Sequence, residues 1–520
     1  MTGSNWPAGF AAAVHAVLVR HRPPSETDAA LEQLSTELVA ALEQGELSLP
    51  LTAERRAVAR SSGWLTGEAA PLMVEGERIG WRRWLTAMQA VVDQLLERAS
   101  RPVPVSRSGA VPDLPRGLNH EQRQAVLAPD HLSVVLLSGG PGTGKTSTVV
   151  EMLQRARARH PDLRIGLAAP TGKASRRLAD AVRPRCPDLP CSTLHRWLEA
   201  SSAGFRRNRS RPLELDLLVI DEMSMLDLAL MQSLLEALPS GCRLILVGDP
   251  AQLPPVGSGA VWHRLQDPDV RDRFGPAAVH LMHVYRNRGA LAQLASRLRE
   301  DGLEGFAQEL DGLPPAANVL HRREPLQRLP LALRKSWPSR LERLAQLASG
   351  LEMMQEADLE EASQPLLREL EHDLVLCPRR QGRWSLEDVH RTLLGAAGVQ
   401  DPWSWPVGLP VICGSNQPEL GLANGDLGVK LGLGEGSCLL FRVLGADGSV
   451  VVRRLHPARL QRLEPAVALT IHRAQGSEAD CVTVLWPHSL QSDPLDRHAS
   501  RLLYTAITRA RDTLELITPD

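Results

Sequence analysis

The stretch Leu136-Leu137-Ser138-Gly139-Gly140-Pro141-Gly142-Thr143-Gly144-Lys145-Thr146 constrains this chain more than any other. Val134 to Leu137 is an unbroken apolar run, the pattern of a strand buried on both faces. It leads into Gly139-x-x-x-x-Gly144-Lys145-Thr146, the spacing of a P-loop. Glycines let the backbone turn with its N–H groups inward, where they can cradle phosphate oxygens. A helix starting near Lys145 adds the positive end of its dipole. The Lys145 ammonium is placed to meet the outer phosphates, and the Thr146 hydroxyl to hold Mg²⁺. Gly140, Pro141, Gly142, Thr143 and Ser147 complete the expected nucleotide-binding loop.

With 520 residues, about three to four domains are expected. No apolar run reaches the roughly 18 residues of a membrane span. Met1 to Trp6 has no basic segment leading into an apolar core, so a cytoplasmic protein without a membrane partner is expected. Seven scattered cysteines fit a reducing compartment without disulfides. Cys186, Cys191 and His195 lack the fourth ligand that a structural zinc site needs. The net charge is −1, so contact with nucleic acid must use a local channel and not a global field.

Residues 1–108 read as a separate, mostly helical domain. Ser25-Glu26-Thr27-Asp28 resembles a capping box, and Leu31, Leu34, Leu38 and Leu42 follow at helical spacing. Leu72 to Ile79 reads as a hairpin turning at Glu75-Gly76, followed by a helix from about Trp81 to Ala99. Trp81 and Trp84 suit either core packing or a partner anchor, and Ser100 to Gly109 reads as a linker. Residues 109–280 alternate strand and helix signals, the mark of a parallel sheet, with strands at Arg164–Ala168, Leu215–Ile220 and Arg243–Val247. Each of these strands ends in a polar cluster, at the edge where open α/β sheets bind ligands. Residues 281–520 predict a second such unit, with strands at Asp373–Cys377, Val467–Ile471, Cys481–Leu485 and Thr513–Ile517. Residues 408–464, with turns at Asn424-Gly425, Gly434-Glu435-Gly436 and Asp447-Gly448, read as a small all-β insertion.

Asp221-Glu222 closes an apolar strand at the right distance after a P-loop. Asp221 is placed to hold Mg²⁺, and Glu222 to orient and deprotonate the attacking water. The Gln252 amide both donates and accepts, so it can sense a γ-phosphate, and Gln122 can read an adenine edge. Charge developing on the γ-phosphate calls for cations, and Arg286 and Arg509 are the candidates, set against the bland alternative of surface ion pairs.

Eight segments occur in order: Gly139–Thr146, Leu167–Ala174, Thr193–Arg196, Asp221–Met225, Gly248–Leu253, Val284–Arg286, Leu469–Glu478 and Tyr504–Arg511. The series resembles the motifs of superfamily 1 DNA helicases of the RecD-like branch. The stretches Leu72–Trp84, Gly204–Arg209, Leu376–Gly382 and Gly421–Gly428 resemble the alpha-subunit type of the exodeoxyribonuclease V family. That resemblance implies two RecA-like P-loop NTPase domains, a helical N-terminal partner-binding domain and an SH3-like insertion. It implies ATP and Mg²⁺ as cofactors, 5′-to-3′ movement on DNA, and RecB-like and RecC-like partners in a heterotrimer acting in double-strand break repair. The nuclease would lie on the beta partner. Gln122, Tyr285, Gly476 and Glu478 would contact the nucleotide, and Lys145, Glu222, Gln252, Arg286 and Arg509 would serve catalysis. Thr171, His195, Thr470 and His472 would line the single-strand track. Arg206 and Arg207, in a short hairpin near 200–214, would be either a strand-splitting pin or a phosphate contact. The competing readings are a stand-alone RecD-like helicase, a motor fused to relaxase chemistry, and an assembly module without turnover. With 11 Trp, 5 Phe and 2 Tyr, base stacking is limited and phosphate contacts should dominate.

Overall fold

The computed structural model describes residues 9–25, 29–103, 113–201, 204–285, 289–314, 318–400, 402–433, 436–444, 450–490 and 497–520. Residues 26–28 of the expected capping box, most of the linker, the turns at Gly434-Glu435 and Asp447-Gly448, and Arg286 lie outside these residues.

Two parallel sheets organise the molecule. The first runs Ala278–Leu281, Val134–Gly139, Arg243–Gly248, Leu217–Ile220, Ile165–Ala169, Cys191–Thr193. The apolar runs mark its central strands, because only strands covered on both faces tolerate Val and Leu at successive positions. Alternation divides each strand between two cores. Val135, Leu137, Val219 and Ile245 pack with Val149 and Leu153 of the helix Lys145–Arg159. Val134, Leu136, Leu218 and Leu246 face the opposite way.

That opposite face carries the N-terminal region. Its helices Phe10–His21, Ala29–Glu43, Ala53–Ser61 and Arg82–Ala99 accompany a three-stranded antiparallel sheet of Ser48–Pro50, Arg78–Trp81 and Leu72–Glu75. Leu85, Met88, Val91, Val92 and Leu95 belong to one continuous apolar cluster with Met231, Leu234 and Leu235 of the helix Leu228–Ala237. The Arg98 guanidinium donates to the carbonyls of Pro239 at 2.8 Å and Leu238 at 3.2 Å. These residues share an apolar cluster with the first sheet. Trp81 is buried in that cluster and Trp84 packs on its margin.

The second sheet runs Val319–Glu324, Ala510–Pro519, Ala479–Leu485, Asp373–Cys377, Leu469–Thr470, all parallel. Between its strands the chain inserts an antiparallel sheet of Val450–Leu455, Cys438–Leu444, Leu427–Leu431, Pro410–Cys413 and Leu463–Pro465. Val411, Leu439 and Phe441 of the insertion share a cluster with Val375, Cys377 and Leu485 of the second sheet. All seven cysteines are free thiols. No helix among the described residues is long and apolar enough to cross a membrane.

Candidate active site

The strands Val134–Gly139, Leu217–Ile220 and Arg243–Gly248 end side by side, so their following loops converge. The P-loop turns on Gly142 and Gly144, with φ of +72° and +84°. Glycine supplies this left-handed backbone without steric cost. A Cβ on Gly144 would stand 2.7 Å from Gln122 Nε2, and one on Gly139 would stand 2.7 Å from Thr143 Oγ1. The loop is therefore a tight cradle whose inner face is backbone. Lys145 Nζ donates to the carbonyls of Gly139 at 2.8 Å and Gly140 at 2.9 Å.

Gln122 closes one side. It forms a capping box with Asn119, each side chain bonding the other's backbone N–H, at 2.8 and 3.2 Å. Tyr285 donates its hydroxyl to Gln122 Oε1 at 3.1 Å and its backbone N–H to Gly142 O at 2.8 Å. Two of the residues expected to contact the nucleotide thus stand together at the lip of the loop.

An open cleft of about 240 Å³ lies between the sheets. Lys145, Thr146, Asp221, Glu222 and Gln252 line it from the first unit, and Glu478 and Arg509 from the second. Glu222 adopts φ +55°, unusual for a residue with a side chain and typical of functional loops. Its N–H bonds Asp221 Oδ1 at 2.9 Å. Burial, and then the neighbouring Asp221, push the Glu222 carboxyl above its ordinary range, while Arg509, Arg177 and Lys145 pull the other way. Gln252 is buried; its Nε2 lies 3.4 Å from Asp249 Oδ2, and its Oε1 has no partner within the protein. Such an orphaned acceptor beside a backbone cradle fits a polar ligand in the cleft. Asp249 also accepts from the Tyr504 hydroxyl at 3.1 Å, a bond between the two units. Arg509 is buried and bonds the carbonyls of Thr505 at 2.9 Å and Ser477 at 3.2 Å.

Arg177 is the cleft residue that sequence reading missed. It pairs with Glu478 across the cleft, and Arg511 reaches the same carboxylate at 3.3 Å. Its only signal was a pair of arginines on the helix that follows Thr171. Gly476, at φ +74°, places the backbone of that second-unit loop against Thr171 and Ala174.

The other expected positions divide. Thr171 Oγ1 caps the helix Gly172–Val182 by accepting from Ala174 N–H at 3.2 Å. Thr470 Oγ1 lies 3.4 Å from Arg473 N. His472 stacks near His498, and burial drives its imidazole down to about 4, so it is neutral at pH 7. His195 is exposed, with Phe205 at 5.8 Å between rings. Arg206 is exposed, but Arg207 is held by Glu199 at 2.7 Å and Pro212 O at 3.0 Å, so it is tied into the hairpin's own base. Among the described residues, His372, Asp373 and Cys481 form the one group close enough to share an ion; Cys186, Cys191 and His195 do not.

The AAA domain family matches residues 122–258, and the UvrD-like helicase C-terminal domain matches 465–517. The RecBCD enzyme subunit RecD of Mycolicibacterium smegmatis is 35% identical over 463 residues, covering 84% of this chain and 77% of that protein. The ATP-dependent RecD2 DNA helicase of Deinococcus radiodurans is 33% identical over 417 residues, covering 78% of this chain and 49% of its own length. A crystal structure of Bacteroides Pif1 bound to single-stranded DNA is a looser likeness, 18% identical with a TM-score of 0.45, covering 78% of this chain and 92% of that one.

Proposed function

The chain belongs to the RecD family of ATP-dependent DNA helicases, and from that premise we propose that it is the alpha subunit of a cytoplasmic helicase–nuclease complex. In this reading it moves 5′ to 3′ on one strand at a duplex end, alongside RecB-like and RecC-like partners, in double-strand break repair and recombination. The observation that carries the motor assignment is the two-walled cleft, with Lys145, Asp221, Glu222 and Gln252 facing Glu478 and Arg509.

The chemistry follows from the positions. The P-loop N–H groups and Lys145 bind the β- and γ-phosphates. Thr146 and Asp221 are the residues that would hold Mg²⁺, which when bound supplies positive charge to those phosphates. Glu222 orients a water and takes its proton. Arg509 comes from the second unit, so charge stabilisation at the γ-phosphate depends on how closely the units approach. Hydrolysis thereby changes the grip between two bodies whose upper edges carry Thr171 on one side and Thr470 and His472 on the other. Contacts to phosphates are indifferent to sequence, which lets the motor advance on any strand.

Lys145→Gln tests the assignment. DNA-stimulated ATPase should fall about 100-fold or more, as for loss of a major charge-stabilising group. Turnover near the wild-type rate would overturn the site. The stand-alone alternative draws on the RecD2 relative; a pull-down of the native protein that recovers no partner subunits would favour it.

A further inference from the structure

The helix Gly172–Val182 touches the second unit in two places. Neighbouring helical positions point about 100° apart. Arg177 turns into the cleft and pairs with Glu478. Arg176 turns the other way, onto the β insertion. There its guanidinium forks onto both oxygens of Asp426, with Nη1 at 3.2 Å from Oδ2, and reaches the Arg442 carbonyl at 3.4 Å. The Asp426 side chain is 1% exposed and also accepts the Ala423 N–H at 2.9 Å. A Cβ on Gly172 would stand 2.5 Å from Ala423 Cβ, so the insertion's tip and the start of the helix meet nearly backbone to backbone.

The helix itself is stiff. Ala174, Ser175, Leu178, Ala179 and Val182 are buried along its inner face. Because Arg176 and Arg177 are consecutive residues of one packed helix, a shift of the helix at its contact with the insertion also moves the residue in the cleft. The insertion has its apolar attachment on the second sheet and meets the first unit at this ion pair and at the close approach of Ala423 to Gly172.

We infer that the Arg176–Asp426 pair is a positioning contact that couples the β insertion to the nucleotide cleft through the helix Gly172–Val182. DNA engaged at Thr171, which caps that helix, shifts the helix against its anchor on the insertion, and Arg177 carries the shift to Glu478. The pair is therefore needed for DNA to stimulate hydrolysis, and it is not needed for hydrolysis without DNA. This rests on the proposed motor reading.

The test uses the full chain, with any subunits that co-purify. Asp426→Asn keeps the shape and the bond to the Ala423 N–H while removing the charge; Arg176→Ala removes the other partner. Oligo-dT supplies the DNA, and ATPase is measured with and without it. Both variants should keep DNA-free turnover and lose at least about fivefold of the stimulation, the lower range of coupling between sites. The double exchange Arg176→Asp with Asp426→Arg should recover most of it, an outcome that a generally damaged fold would not produce. Undiminished stimulation in both single variants, or a double exchange no better than either, would overturn the inference. Failure of the motor reading would appear separately, as Lys145→Gln retaining turnover.

Discussion

The N-terminal region and the β insertion are both additions to the two-sheet motor, yet they are attached by different physics. The N-terminal region shares a continuous apolar cluster with the first sheet, and the Arg98 bonds to backbone carbonyls reinforce that seam. The insertion shares its apolar cluster with the second sheet and meets the first unit through the Arg176–Asp426 pair and the approach of Ala423 to Gly172. Apolar packing is short-ranged and fixes one geometry. A single ion pair can part and re-form. In the proposed motor the N-terminal region rides with the first unit, while the insertion bridges from the second unit to the first.

The largest expected effect tests the rigid seam. Leu95 is fully buried in it, and Leu95→Ala should cost about 3 kcal/mol. Urea denaturation followed by circular dichroism should show one transition at lower midpoint. Two separated transitions would mean that the N-terminal region unfolds alone and that the seam is no part of the motor's core. A middle-sized effect is expected at the working joint. Gly172→Val would force a side chain against Ala423, and DNA-stimulated ATPase should drop severalfold while stability falls by about 1 to 2 kcal/mol, less than for Leu95→Ala. A midpoint loss as large as that of Leu95→Ala would erase the distinction. The smallest effect belongs to the rim of the seam, where Arg264 meets Glu75 at 3.2 Å across the two regions. Arg264→Ala should cost under about 1 kcal/mol, and the cost should shrink in high salt. A larger loss that salt leaves untouched would make the seam electrostatic.

Strands with uninterrupted apolar runs were legible because burial on both faces leaves a pattern that composition alone reveals. Val134–Gly139 and Asp373–Cys377 lie where expected. Val319–Glu324 was not legible: its sequence Val-Leu-His-Arg-Arg-Glu is mostly polar because it sits at the sheet's edge. The short edge strand Cys191–Thr193 was missed for the same reason. The cleft was legible as two sets of motifs, since phosphate chemistry demands particular residue types at fixed spacing. Arg177 was not, because an arginine on a helix looks the same whether it faces water or Glu478. The N-terminal docking was invisible as well: the spacing of Val91, Val92 and Leu95 shows that a face is apolar and says nothing about what covers it.

The two bonds from Lys145 to Gly139 and Gly140 have a consequence for the order of events. A phosphate that meets this ammonium competes with two carbonyls of the same loop, which are always at hand because the chain tethers them. A lone phosphate ion brings few contacts to that contest. A chain of linked phosphates brings several at once, to Lys145, Thr146 and the loop's N–H groups, and tethering makes each later contact easier than the first. A linked triphosphate would therefore displace the two carbonyls where a lone phosphate ion would not.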